Sequence, residues 1–145
     1  ESRSRSKIVY TKTMIEKDQE EPLDPYVDEA IKEYTEKEIS EYRRLELQEI
    51  KKQLDLWGIT FSDVAKSSPK QEGTRKTYLR AINYILTTPD ILKIIKEKRY
   101  LPVEKIITAL KIPRKRIERG RNYIVAAVLI LSGDYQFINE YIQWR

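Results

Sequence analysis

Apolar residues recur at three- and four-residue steps along most of this 145-residue chain, which places them on one face of a helix. Glycine, which weakens helices, occurs only four times, and Gly58, Gly73 and Gly133 fall between the apolar segments. The pattern predicts an all-α protein of about six helices. We expect them over residues 25–57, 61–66, 74–86, from 89 onward, from 102 to 110 and from 114 to 131.

Local signals predict where several of these helices begin and end. Asp24 before Pro25 is typical of an N-cap and a first-turn proline. Gly58 is a natural helix stop, and Thr60 with Asp63 three residues later predicts a capping box.

Composition narrows the classes of function. The chain has no Cys and no His, which excludes disulfides, thiol nucleophiles, imidazole bases and the usual zinc ligand sets. Carboxylates abound, but none is paired with a Gly-rich loop or a metal-ligand spacing. We therefore predict no catalytic residue, cofactor or metal, and an enzyme is the weakest candidate. No apolar run approaches the ~20 residues of a membrane span, so a cytoplasmic protein is expected.

Charge is distributed unevenly along the chain. Residues 15–55 hold fourteen acidic and seven basic side chains, a net charge of −7. Residues 93–121 hold eleven basic and three acidic side chains, a net charge of +8. An asymmetry of this size favours a polyanion as partner of the basic segment, with two solvated faces as the alternative. The acidic stretch could be a solvated helix, a partner surface or an internal shield for the basic segment.

The N-terminal residues differ from the rest. Residues 1–7 are rich in Ser and Arg, and the segment that follows is β-prone through Ile8, Val9, Tyr10, Thr11 and Met14. We expect residues 1–22 to form an interdomain linker and residues 23–145 a helical DNA-binding domain. The β-prone segment could pair with the sheet edge of a partner, and a disordered linker is the alternative.

The segment around Pro113 predicts a helix-turn-helix over about 102–131. Pro102 suits a first helical turn, and the helix after it has one apolar face. Pro113 cannot lie inside a continuous helix, because it loses a hydrogen bond and clashes one turn back, but it can begin a new helix. Lys111 stands where such turns often have Gly, and Gly120 is expected to mark close packing on the preceding helix.

The second helix of this motif predicts the surface that binds DNA. Its polar side carries the candidates for reading base edges, which are Arg114, Lys115, Glu118, Arg119 and Asn122. Flanking cations and a phenol suit phosphates, which position a helix without reading sequence. These are Arg116, Arg121 and Tyr123, together with Lys98, Arg99 and Lys111. The alternatives are a solvated amphipathic helix, a stand-alone helix-turn-helix transcriptional regulator, and a helical domain that binds only protein.

Five spaced blocks of the chain resemble the bacterial sigma-I factors, which are alternative RNA polymerase sigma subunits. The blocks are residues 54–64, 67–70, 101–106, 114–119 and 121–124, and the resemblance covers roughly residues 40–145. It implies a C-terminal domain that recognises the promoter −35 element through a helix-turn-helix. Six positions match the recognition helix of the family, namely Arg114, Lys115, Arg116, Glu118, Arg119 and Asn122. Pro113 and Gly120 depart from the family's pattern.

The resemblance also implies partners. They are promoter DNA, core RNA polymerase, and a membrane-bound anti-sigma factor that binds through its cytosolic N-terminal domain. The anti-sigma factor could cover the basic helix or capture residues 8–15 as an added strand, and the acidic stretch could instead shield the basic helix. We favour strand capture, because residues 8–15 have no role inside a helical domain.

Overall fold

The computed structural model describes residues 34–141, with side chains through residue 139, and this part of the chain contains eight helices and no strand. They are α1 (Glu36–Asp55), α2 (Phe61–Lys66), α3 (Glu72–Leu86), α4 (Pro89–Lys98), α5 (Val103–Leu110), α6 (Arg114–Arg119), α7 (Arg121–Ser132) and α8 (Gln136–Tyr141). The all-α prediction is confirmed. None of the helices in the described range is long and apolar enough to cross a membrane. The predicted strand segment (Ile8, Val9, Tyr10, Thr11 and Met14) lies outside the described residues.

Two features raise the number of helices above six. The helix predicted over 114–131 is divided at Gly120, and α8 is a six-residue helix that the periodicity did not indicate. The single helix predicted over 25–57 is also wrong at Thr35. There the backbone is not helical, and a capping box starts α1, because Glu38 N–H donates to Thr35 Oγ1 at 3.1 Å and Thr35 N–H donates to Glu38 Oε1 at 2.9 Å.

Three other boundary predictions are confirmed, while the helix start predicted at Asp24 and Pro25 lies outside the described residues. Thr60 and Asp63 form the expected capping box, with both hydrogen bonds at 3.0 Å. Gly58 follows the end of α1 with φ +72°, a left-handed conformation that costs glycine little. Pro89 begins α4, where its missing N–H leaves no hydrogen bond unmade.

The described residues fall into two compact units, and the division lies within α1, after Ile50. In the unit formed by residues 51–132, α7 is buried on nearly all sides, since every residue from 124 to 128 is buried. It packs against α2, α3 and α6. A helical period of apolar residues predicts one inward face, so sequence periodicity understated how central this helix is.

Gly120 lies between α6 and α7, and a ring occupies the space that a side chain at this position would need. A Cβ atom on Gly120 would lie 2.3 Å from Cζ of Tyr78, which is in α3 and only 5% exposed. The predicted close packing at Gly120 is therefore present, but its partner is Tyr78 rather than the preceding helix. Gly120 N–H donates to Arg116 O at 3.2 Å, so the last turn of α6 is closed by a helical hydrogen bond.

In the other unit, described over residues 34–50 and 133–141, α8 is held by aromatic and polar contacts with the first part of α1. Phe137 stacks on Tyr42 with ring centroids 4.8 Å apart, and Tyr34 meets Phe137 edge-on at 5.6 Å. The carboxylate of Glu46 accepts the Ile138 N–H at 2.8 Å, which satisfies a donor that the helix start leaves without a partner. Burial raises the pKa of Glu46 to about 7, and the Ile138 and Phe137 amides oppose that rise.

Replacing Gly120 with alanine is expected to destabilise the protein by about 1–3 kcal/mol, because the added methyl group overlaps the buried Tyr78 ring. The matched control is Gly73→Ala in α3, where an added Cβ meets no atom within 4 Å. That change should stabilise the helix by about 0.5–1 kcal/mol. Urea denaturation measures both values, and equal effects of the two substitutions would contradict the packing described here.

The protein is expected to lose stability as pH rises, because burial disfavours the charged form of the Glu46 carboxyl group. Because the pKa of Glu46 increases from 4.5 to about 7 on folding, the folded protein binds this proton more tightly than the unfolded chain. The contribution to stability is complete below pH 4.5 and is lost as pH rises through about 7. Urea denaturation at several pH values measures the free energy of unfolding of wild type and of Glu46→Gln. The stability of wild type relative to the variant should fall over this range, and a relative stability that rises with pH would refute the prediction.

Candidate nucleic-acid interface

A three-residue turn joins α5 to α6. Lys111 ends α5 in the left-handed region (φ 56°, ψ 47°), and its N–H donates to Ile107 O at 2.8 Å. Ile112 is buried with 5% exposure, and Pro113 is extended with φ −60° and ψ 137° immediately before Arg114. The turn is thus fixed by a capped helix end, a buried side chain and a proline. Lys111 adopts the conformation for which glycine was expected at this position.

Arg80 of α3 supports the turn from outside. Its Nη2 donates to the carbonyl oxygen of Leu110 at 3.0 Å, so it satisfies a carbonyl group that the end of α5 leaves without a helical partner. Because α3 also packs against α5, this contact fixes the end of α5 from a second element. No local sequence pattern marks Arg80 for this contact, since it lies thirty positions before Leu110.

One side of α6 is anchored and the other is exposed to solvent. Ile117 is completely buried, as is Ile106 of α5, against which α6 packs. The predicted base-reading residues Arg114, Lys115, Glu118 and Arg119, and the flanking Arg116, are all exposed. The short helix therefore presents four cations and one carboxylate on its solvent-facing surface, as the sequence pattern predicted.

The predicted residues at the start of α7 have a different setting. Arg121, Asn122 and Tyr123 are half-buried. The guanidinium of Arg121 lies over the ring of Trp57, with Cζ 5.7 Å from the ring centroid, and its Nη1 donates to Asn122 Oδ1 at 3.1 Å. The break at Gly120 places these three residues on a helix separate from α6, so the six residues matched to one recognition helix lie on two helices.

Two tyrosines lie behind this surface. The rings of Tyr78 and Tyr123 are 5.9 Å apart and tilted by 38°. Burial raises the pKa of both phenols, and the positive charges of Arg116 and Arg119 partly oppose the rise at Tyr78. Tyr78 thus contacts Gly120, and the rise in its pKa is partly offset by the positive charges of two exposed cations of α6.

Arg114 is paired at the start of α6. Its Nη2 contacts Oε2 of Glu104 in α5, and its Nη1 lies 3.6 Å from Oε2 of Glu118, one turn further along α6. All three side chains are largely exposed. Arg114 therefore differs from Lys115, for which no such pairing is described.

The other predicted phosphate-binding residues lie at helix ends. Lys98 closes α4, Arg99 follows it in the left-handed region with φ 50°, and Lys111 closes α5. All three are exposed. Their positions fit contact with a nucleic-acid backbone, which requires accessible cations.

The described residues offer no cluster that could hold a metal ion, and the cleft described below is too small for a cofactor. No three Asp or Glu residues converge in the range 34–141 in a way that could hold a metal ion. A cleft lined by residues that include Leu54, Ile59 and Phe61 has a volume of about 60 Å³. Pockets for cofactors are several times larger, so this cleft does not suit one.

Comparison with known proteins finds relatives over about two thirds of the chain. RNA polymerase sigma factor SigI7 of Acetivibrio thermocellus is 50% identical over 97 residues, which is 67% of this chain and 41% of the relative. RNA polymerase sigma factor SigI of Bacillus subtilis is 30% identical over 93 residues, 64% of this chain and 37% of the relative. SigI of Bacillus anthracis is 34% identical over 85 residues, 59% of this chain and 35% of the relative.

The match covers a part of each relative. The chain spans about two fifths of the length of these sigma factors, and the matching residues lie in the C-terminal two thirds of this chain. No protein-family model matches the chain.

Three residues that shape this surface carry no local signal of that role in the sequence. Arg80 and Tyr78 act from α3, and Glu104 acts from α5, so each contact joins positions far apart in the sequence or on different helices. Glycine at position 120 was a signal that some ring or backbone lay close, but it did not identify Tyr78.

Lys111→Gly is expected to stabilise the protein by up to about 1 kcal/mol, because glycine adopts the left-handed conformation without the steric cost of a Cβ atom. Lys111→Ala is the matched control, since it removes the same ammonium group and keeps the Cβ atom. The alanine variant should be no more stable than wild type. Urea denaturation distinguishes the two, and an alanine variant as stable as the glycine variant would count against backbone strain at Lys111.

Proposed function

We propose that this chain, which belongs to the SigI family of RNA polymerase sigma factors, uses the surface of α6 to recognise the −35 element of promoters. In this role it directs RNA polymerase to specific genes. The observation that carries the proposal is the anchoring of α6 by Ile117 while the opposite side of the helix, with four cations, faces solvent.

The chemistry of this surface suits the major groove of DNA. A helix fits in that groove, and an Arg or Lys side chain there donates to guanine while an Asn side chain pairs with adenine. We assign base contacts to α6 and to the start of α7. The residues are Arg114, Lys115, Arg116, Glu118, Arg119 and Asn122.

Contacts with the DNA backbone complete the interface. Exposed cations around α6 would neutralise phosphates and release counterions, so binding should fall steeply as salt rises. We assign this role to the exposed Lys98, Arg99 and Lys111, and we assign further phosphate contacts to the guanidinium of Arg121 and the phenol of Tyr123. Arg121 and Tyr123 are half-buried against Trp57 and Tyr78, which suits side chains that contact a phosphate from a fixed position.

Core RNA polymerase is the second proposed partner. An isolated domain with this number of cations binds DNA weakly at physiological salt. Attachment to polymerase raises the effective concentration of the domain at the promoter without adding new contacts to DNA. Family membership supports this arrangement, and the rest of a SigI protein would supply the attachment.

We propose that residues 23–145 form the DNA-binding domain, with a helix-turn-helix at about 102–131, and that residues 1–22 link it to the rest of the protein. A membrane-bound anti-sigma factor is the proposed regulator, acting through its cytosolic N-terminal domain. The β-prone residues 8–15 are the proposed contact. This regulatory role rests on the resemblance and on the sequence of that segment.

Arg119→Ala is expected to reduce discrimination between specific and scrambled DNA by about 1–3 kcal/mol, because it removes a base-edge donor. The specific DNA is a duplex that the wild-type chain selects from a randomised pool. Lys98→Ala is the matched control, since it removes one exposed cation at the end of α4. It should weaken binding to both duplexes about equally and lower the salt slope by about one.

Fluorescence anisotropy at several salt concentrations measures both effects. Equal losses on the two duplexes for Arg119→Ala would remove Arg119 from base recognition. A wild-type chain that selects no sequence from the pool would contradict the proposed function as a whole.

A further inference from the structure

The basic segment of residues 93–121 contains only three acidic side chains, Glu97, Glu104 and Glu118, and two of them lie on one guanidinium. Glu104 reaches Arg114 from α5, and Glu118 reaches it from the next turn of α6. Arg114 is the first residue of α6, the position at which a recognition helix meets DNA. The acidic residues are therefore concentrated where DNA would bind.

We propose that Glu104 determines specificity by competing with DNA for the guanidinium of Arg114. This inference rests on the proposed function of α6. In the free protein the two carboxylates neutralise Arg114, and the Glu104 carboxylate repels any phosphate that approaches the start of α6. Arg114 exchanges these partners for DNA only where the DNA offers an equally good replacement.

Base edges and phosphates differ as replacements for the carboxylates. The O6 and N7 atoms of guanine accept two parallel hydrogen bonds from a guanidinium, so a correctly placed guanine matches the bidentate geometry of a carboxylate. A phosphate on unrelated DNA attracts the cation but must also approach Glu104, whose side chain is 73% exposed. Competition therefore weakens binding to unrelated DNA more than binding to the correct site.

Arg114 can readily exchange its two carboxylate partners for groups of the DNA. The side chains of Arg114 and Glu118 are 44% and 54% exposed, so water competes for the same groups and the pair opens easily. The buried residues that anchor α6 do not include Glu104. Its substitution should change DNA binding without unfolding the motif.

Glu104→Gln tests the proposal in the full 145-residue chain, with a randomised pool of short DNA duplexes as the probe. We expect binding to the unselected pool to tighten about two- to fivefold, the factor typical of one exposed ion pair. The salt slope should steepen by about 0.9, which corresponds to one added phosphate contact. Sequence enrichment by the variant should be weaker than enrichment by wild type.

Glu97→Gln is the matched control, because it makes the same change of charge in the same basic segment, and no ion pair is described for Glu97. It should leave binding and enrichment close to wild type. In an Arg114→Ala background, Glu104→Gln should have no effect. The inference is overturned if Glu104→Gln behaves like Glu97→Gln, if its effect persists without Arg114, or if it weakens binding. A wild-type chain that enriches no sequence would instead overturn the proposed function.

Discussion

The contact between Gly120 and the ring of Tyr78 determines how the proposed interface is built. No side chain fits between them, so the junction between α6, which ends at Arg119, and α7, which begins at Arg121, packs directly on α3. The buried α7 then lies in the core of its unit, and Ile117 holds the inner side of α6. The cations of α6 are left at the surface as a consequence of this packing. A bulkier residue at position 120 would displace the helix that carries them.

The positive charge of this surface is organised in two ways. Lys115, Arg116 and Arg119 are exposed on α6, whereas Arg114 is paired with carboxylates and Arg121 lies over the ring of Trp57. Cations of the first kind attract any nucleic acid at long range. Cations of the second kind already contact a partner in the free protein. Their contribution to DNA binding therefore depends on whether a DNA group can replace that partner. Attraction and selection can therefore come from different residues of one short motif.

Much of this architecture could be predicted from local sequence. The capping box of Thr60 and Asp63, the stop at Gly58 and the new helix after Pro113 depend on neighbouring residues, and all are present. The contact of Gly120 with Tyr78, the burial of α7 on nearly all sides and the bond from Arg80 to Leu110 depend on side chains from distant positions. Periodicity within one helix carries no information about those partners. The exposed set on α6 was predicted, but its separation from Asn122 by the break was not.

The central claim is that the solvent-facing side of α6 enters DNA. The most direct measurement is an NMR titration of the ¹⁵N-labelled chain with a short duplex at low salt, which reports on each backbone amide. The account predicts that the largest shifts fall on the amides of Arg114–Arg119 and on those at the start of α7, while amides in the described parts of the other unit change little. Largest shifts within residues 36–50, with α6 unaffected, would contradict it.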